Sequence, residues 1–190
     1  MYIDYIKKLE MVLHSTEFYS NQGTVRIDSY EAGIRMLVEC FVEARKNGST
    51  VFFIGNGGSA AIASHMTVDY LKNGRIRTHS MLDSAVLTCL GNDYGYEFVF
   101  SEQLKAICNQ NDLLIAISSS GNSENIVNAV DTARACQAKI ITLTGFERTN
   151  QVLPLGDYSV YVPIAEYGIV ESIHNLILQQ IVDEIIENKT

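Results

Sequence analysis

Residues 50–58 read TVFFIGNGG: a β-branched and aromatic run that gives way to three glycines within four positions. A short, fully apolar run stopped by glycine fits a strand covered on both faces. Two more runs have that character, DLLIAIS at 112–118 and KIITLTG at 139–145. A fourth, DYSVYVPI at 157–164, is weaker and alternates, and another strand is expected near His79 to Leu82. Strands buried on both faces imply parallel pairing with helical crossovers. The spacers agree. Ile126, Val127, Val130 and Ala133 share a face in 123–138, and Ile173, Leu176, Ile177, Ile181 and Ile185 do so in 168–187. Before the first strand, Ile6, Leu9 and Leu13 predict one helix and Ile34, Leu37, Val38, Phe41 and Val42 a second. SNQGTVRID reads as a break between them, and Gly48 stops the second. The pattern predicts one doubly wound α/β domain at 49–190, with helices of 1–48 packed on it.

Composition narrows the partners. The net charge of -8 disfavours nucleic acid or an anionic membrane. No apolar run approaches the roughly 18 residues of a membrane span. Cys40, Cys89, Cys108 and Cys136 are scattered with no CxxC, and no signal peptide precedes them. That pattern predicts reduced thiols and a cytoplasmic location.

In a doubly wound sheet, ligands gather where strands end and helices begin. Two such junctions are unusual: Gly55-Asn56-Gly57-Gly58-Ser59, and Ser118-Ser119-Ser120-Gly121-Asn122-Ser123. Glycine lets the backbone approach a ligand, helix N-termini favour an anion, and serine hydroxyls add neutral donors. Ordinary N-capping is the competing reading, although one cap needs one serine. GNGGSA also satisfies G-x-G-x-x-A, with the acidic Asp83 beyond it, the loose form of a dinucleotide fingerprint. That reading leaves the second turn unexplained, so no nucleotide cofactor is expected.

Together GNGGSA…H, GNDYGYEFVFSEQL, AISSSGNSENI and ITLTG resemble the SIS (sugar isomerase) domain, in its phosphoheptose isomerase branch. The resemblance runs from about residue 35 to the C-terminus. It implies a mostly parallel five-stranded sheet flanked by helices, and homotetramers whose active sites form where subunits meet. It implies conversion of sedoheptulose 7-phosphate to D-glycero-D-manno-heptose 7-phosphate for bacterial surface polysaccharide, often with zinc. Carried over residue by residue, it makes Ser118, Ser119, Ser120 and Ser123 a phosphate cradle. Asn56, Gly57, Gly58 and Ser59 would line the sugar, with Asn92 and Asp93 reaching its hydroxyls.

Two departures bear on the chemistry. His65 falls on the family's first zinc histidine, but Asp69 stands where the family has its catalytic glutamate. Glu171 replaces a glutamine, and Gln179 replaces the second catalytic histidine. Enediol chemistry needs a group to move a proton between adjacent carbons and another to move one between oxygens, or a metal. An amide cannot serve as acid or base near neutral pH, so Gln179 is the severe change. Asp69 and Glu171 could compensate as a proton-transfer pair, or with His65 and Gln179 as a zinc site. His174, three residues after Glu171, reads as a structural or interface histidine. The alternative is a catalytically altered SIS protein that binds sugar phosphates or a protein partner of the replication-initiator type.

Overall fold

The computed structural model describes residues 2–187; Met1 and 188–190 lie outside the described residues. Along the chain run α1 (Tyr2–His14), β1 (Glu17–Ser20), β2 (Val25–Arg26), α2 (Tyr30–Asn47), β3 (Thr50–Gly55), α3 (Gly58–Lys72) and β4 (Arg77–His79). Then follow α4 (Ser84–Asp93), α5 (Val99–Ile107), β5 (Leu113–Ser118), α6 (Glu124–Ala135), β6 (Lys139–Gly145), β7 (Tyr158–Val162) and α7 (Tyr167–Glu187). The strands form one sheet in the order β2-β1-β7-β6-β5-β3-β4. The stretch from β4 to β7 is parallel throughout.

Side-chain alternation explains why both faces need cover. Val51 and Phe53 of β3 pack with α2, α3 and α7, while Phe52 and Ile54 pack with α5 and α6. β4 ends at His79, so it lies slightly earlier than the sequence suggests. Helix α2 starts at Ser29, whose hydroxyl accepts from the Ala32 amide, and stops at Gly48 in the left-handed region.

The five expected strands are the parallel part of a larger, seven-stranded sheet. The segment between the first two helices is a hairpin, β1–β2, laid antiparallel on β7. Neither strand is long enough to show a period of two, and β2 is exposed. Tertiary contacts hold β1 in place. Phe18 is buried against Gly33 of α2, where any β-carbon would overlap its ring. Burial pushes the Glu17 carboxyl up, but Arg148, Tyr19 and Arg26 outweigh it and hold it below the usual carboxylate value. Among the described residues, no helix is long and apolar enough to cross a membrane.

Candidate active site

β3 and β5 are neighbours, with Ile54 beside Ala116 and Gly55 beside Ile117. The turns that follow them therefore emerge side by side at the carboxyl edge of the sheet. They share a cavity of ≈ 280 Å³ lined by Asn56, Gly57, Gly58, Ser59, Ile117, Ser118, Ser119, Ser120, Ser123, Tyr167 and Glu171. That volume is at the small end of ligand pockets, which run from roughly 300 Å³ upward. Another cavity, of ≈ 270 Å³, opens at the opposite edge beside Cys40, Glu43 and Lys139. There the lysine is already paired with Glu43 at 2.8 Å, and no glycine or serine turn is present.

The local backbone is built for an anion. Gly57 precedes α3 with φ 55° and ψ −122°, a conformation open to glycine, and no side chain caps the helix. Ser123 occupies the cap position of α6, yet its side chain makes no capping bond. The Ser118 hydroxyl accepts from the Gly121 amide at 3.2 Å, which closes the turn. The Ser119 hydroxyl is buried with no partner. Capping thus accounts for little of the serine cluster. What remains is a set of uncommitted donors between two helix N-termini, an arrangement suited to phosphate oxygens.

Glu171 enters from α7. Its carboxylate lies against Gly58, where a β-carbon would overlap it. Among the described residues it makes no hydrogen bond or ion pair. It faces the first turn of α3, whose amides and dipole favour a negative charge. The pocket therefore holds one free carboxylate beside the donors for a phosphate.

The other expected residues lie elsewhere in the chain. His65 and Asp69 pair on α3, with Nε2 to Oδ2 at 3.4 Å. Asp69 is eleven residues past Gly58, about 16 Å along the helix. Gln179 is eight residues past Glu171, about 12 Å along α7, in a separate cavity with Asp183 and Glu184. Its Nε2 donates to Asp183 at 3.3 Å. Zinc takes three or four protein ligands within about 2.3 Å. No group of three His, Cys, Asp or Glu with that potential occurs among the described residues. His65, Asp69 and Glu171 therefore do not form such a group within one chain. Asn92 and Asp93 sit exposed at the end of α4, bonded to each other at 2.8 Å, outside the pocket lining.

His174 is fully buried and donates through Nε2 to the Thr144 carbonyl at 3.1 Å, while Nδ1 has no partner. Desolvation holds its pKa down, at about 4, against the opposing pull of that bond. It is neutral at pH 7 and does not reach the pocket. Three residues at the pocket were not singled out by sequence. Tyr167 lines it, with its ring set edge-on to Phe146. Asn125 and Tyr96 both bond the side chain of Asn56. Asn125 stands in a motif already notable for its serines, but an asparagine in a helix's first turn looks like an ordinary helix start.

The fold and this pocket define a phosphosugar-handling α/β domain. The SIS domain profile matches residues 19–145, and the chain belongs to that family. Among its relatives is the phosphoheptose isomerase of Aliarcobacter butzleri, 34% identical over 183 residues, covering 91% of this chain and 95% of the relative. That of Cytophaga hutchinsonii is 37% identical over 156 residues, covering 76% and 81%. The phosphoheptose isomerase from Francisella tularensis superposes with a TM-score of 0.76 at 32% identity, over 82% of this chain and 85% of that one. That of Neisseria gonorrhoeae gives 0.74 at 30% identity, over 81% and 85%.

Proposed function

We propose that this protein is a phosphoheptose isomerase that interconverts sedoheptulose 7-phosphate and D-glycero-D-manno-heptose 7-phosphate. One observation carries the reading: the unpaired Glu171 carboxylate and the unpartnered serine hydroxyls open into the same pocket. The phosphate sits in the turn 118–123 against the N-terminus of α6, and the carbon chain runs past Gly57 and Gly58. Glu171 takes the proton from C1 of the ketose and returns it to C2 through an enediol. General-base catalysis of this kind contributes on the order of 10² to 10⁴ in rate.

A second proton must move between O1 and O2, and apart from the Tyr167 phenol the pocket lining holds no further acid or base for it. We assign that step to Asp69 of the partner subunit, with His65 beside it, in the homotetramer that the resemblance implies. The exposed Val68 and Leu71 flank Asp69 on α3, and Leu176 is exposed on α7, which supports an apolar contact between copies there. Zinc, if bound, would take His65 and Asp69 as ligands and draw the remainder from another chain, acting as a Lewis acid on the sugar oxygens. A cytoplasmic role in supplying heptose for surface polysaccharide completes the proposal.

A second reading, sugar-phosphate binding without turnover, is favoured by the amide of Gln179 and the distance of Asp69 from the pocket. Turnover of sedoheptulose 7-phosphate by wild type, with zinc and with chelator, decides between them. Loss of that turnover in Glu171→Gln supports the isomerase. Wild-type protein inactive under both conditions rejects it.

A further inference from the structure

Two side chains outside the reacting centre hold one inside it. Asn56 lines the pocket at the turn after β3, and Asn125 lies in the first turn of α6, two residues past Ser123. They exchange a reciprocal pair of hydrogen bonds. Asn56 Nδ2 donates to Asn125 Oδ1 at 2.9 Å, and Asn125 Nδ2 donates to Asn56 Oδ1 at 2.9 Å. The Tyr96 hydroxyl also donates to Asn56 Oδ1, at 3.0 Å. A primary amide offers two acceptor sites and two N–H groups. On Asn56 both acceptor sites and one N–H are taken. A single N–H remains, on a side chain whose rotamer is fixed from two directions.

Asn125 is only 3% exposed, so its amide is desolvated for this pairing. An apolar contact would join α6 to the neighbouring turn with less desolvation. The amide pair adds direction, which packing alone does not supply. It also ties the glycine turn to the helix that carries the serine turn, the two pieces that would grip opposite ends of one ligand.

We propose that Asn125 is a positioning residue for the sugar end of the ligand, aiming the one free N–H of Asn56 at an oxygen of the polyhydroxylated chain. This rests on the sugar-phosphate reading above. It makes Asn125 selective in effect, supporting recognition of the carbon chain and leaving recognition of the phosphate to the serine turn.

Calorimetric titration of wild type and Asn125→Ala with sedoheptulose 7-phosphate and, separately, with inorganic phosphate tests it. Asn125→Ala should weaken the sugar phosphate about tenfold, the size of one well-placed hydrogen bond, and leave inorganic phosphate within about twofold. Equal weakening of both ligands marks a merely structural residue and overturns the proposal, as does no weakening of either. Should the alanine variant not fold, Asn125→Leu carries the same two expectations, because it keeps the volume and adds no charge beside the serine turn but loses the donor to Asn56 Oδ1. Wild type that binds both ligands equally well also overturns it, because the sugar end then contributes nothing. Wild type that prefers the sugar phosphate but does not turn it over defeats the isomerase reading and leaves the role of Asn125 standing.

Discussion

The Glu171 carboxylate occupies the space that a β-carbon on Gly58 would fill. The atoms that would be displaced are the far end of a flexible side chain, so the fold can yield there without moving backbone. Gly58 is not in a positive-φ conformation and opens helix α3. Gly58→Ala should therefore keep or raise the melting temperature, since alanine is favoured over glycine in a helix by about 1 kcal/mol. The carboxylate must swing out, and a displacement near 1 Å can cost about a hundredfold in rate. A variant as stable as wild type with kcat/KM down tenfold or more is the expected outcome. Unchanged kcat/KM would show that the position of Glu171 is irrelevant to turnover.

Glu171→Gln isolates the charge from the shape. The amide fills the same space beside Gly58 but cannot accept a proton from carbon. Turnover of sedoheptulose 7-phosphate should fall by about 10² to 10⁴. Binding of inorganic phosphate, read by thermal shift, should persist because the serine turn is untouched. Joint loss of phosphate binding and turnover would place Glu171 in ligand binding and not in proton transfer.

Burial of His174 makes stability depend on pH in a definite direction. In the unfolded chain the imidazole protonates near its ordinary value of 6.5, whereas in the fold desolvation delays this to about 4. Between those values the unfolded state holds the extra proton, so stability is complete above about pH 6.5 and declines as pH falls toward 4. The decline from this one group is roughly 3 kcal/mol. In His174→Gln, which can still donate to the Thr144 carbonyl, urea midpoints between pH 7 and 4.5 should fall less steeply than in wild type. Parallel slopes would remove His174 as the source.

The parts of this architecture legible in the sequence are those whose cause is local. Strands β3, β5 and β6 are covered on both faces, so burial writes a continuous apolar run, and the two turns declare themselves by glycine and serine. The β1–β2 hairpin is illegible because four and two residues carry no period, and its stability comes from Phe18 and Glu17 meeting groups distant in sequence. Asn125 is hidden for the same reason. Its partner lies 69 positions away, and Tyr96 lies 40 from Asn56. Within a single chain, helix rise sets Asp69 about three turns past Gly58 on α3 and Gln179 about two turns past Glu171 on α7, and a motif match carries no information about which chain supplies each residue to a site.

That separation yields a test of the shared site. Asp69→Asn and Glu171→Gln each remove one proton-transfer group, and as separate preparations both should be inactive. If the site combines Glu171 of one chain with Asp69 of the partner subunit, a mixed assembly contains sites in which both contributing chains are intact at the residue they supply. Random mixing gives this for up to about a quarter of the sites. Unfolding the two variants together and refolding them should restore activity toward that fraction, while each refolded alone stays dead. In a site built within one chain every protomer carries a defect, and no mixing ratio recovers turnover. Recovery above the sum of the separate preparations therefore supports the shared geometry, and its absence with two well-folded variants rejects it.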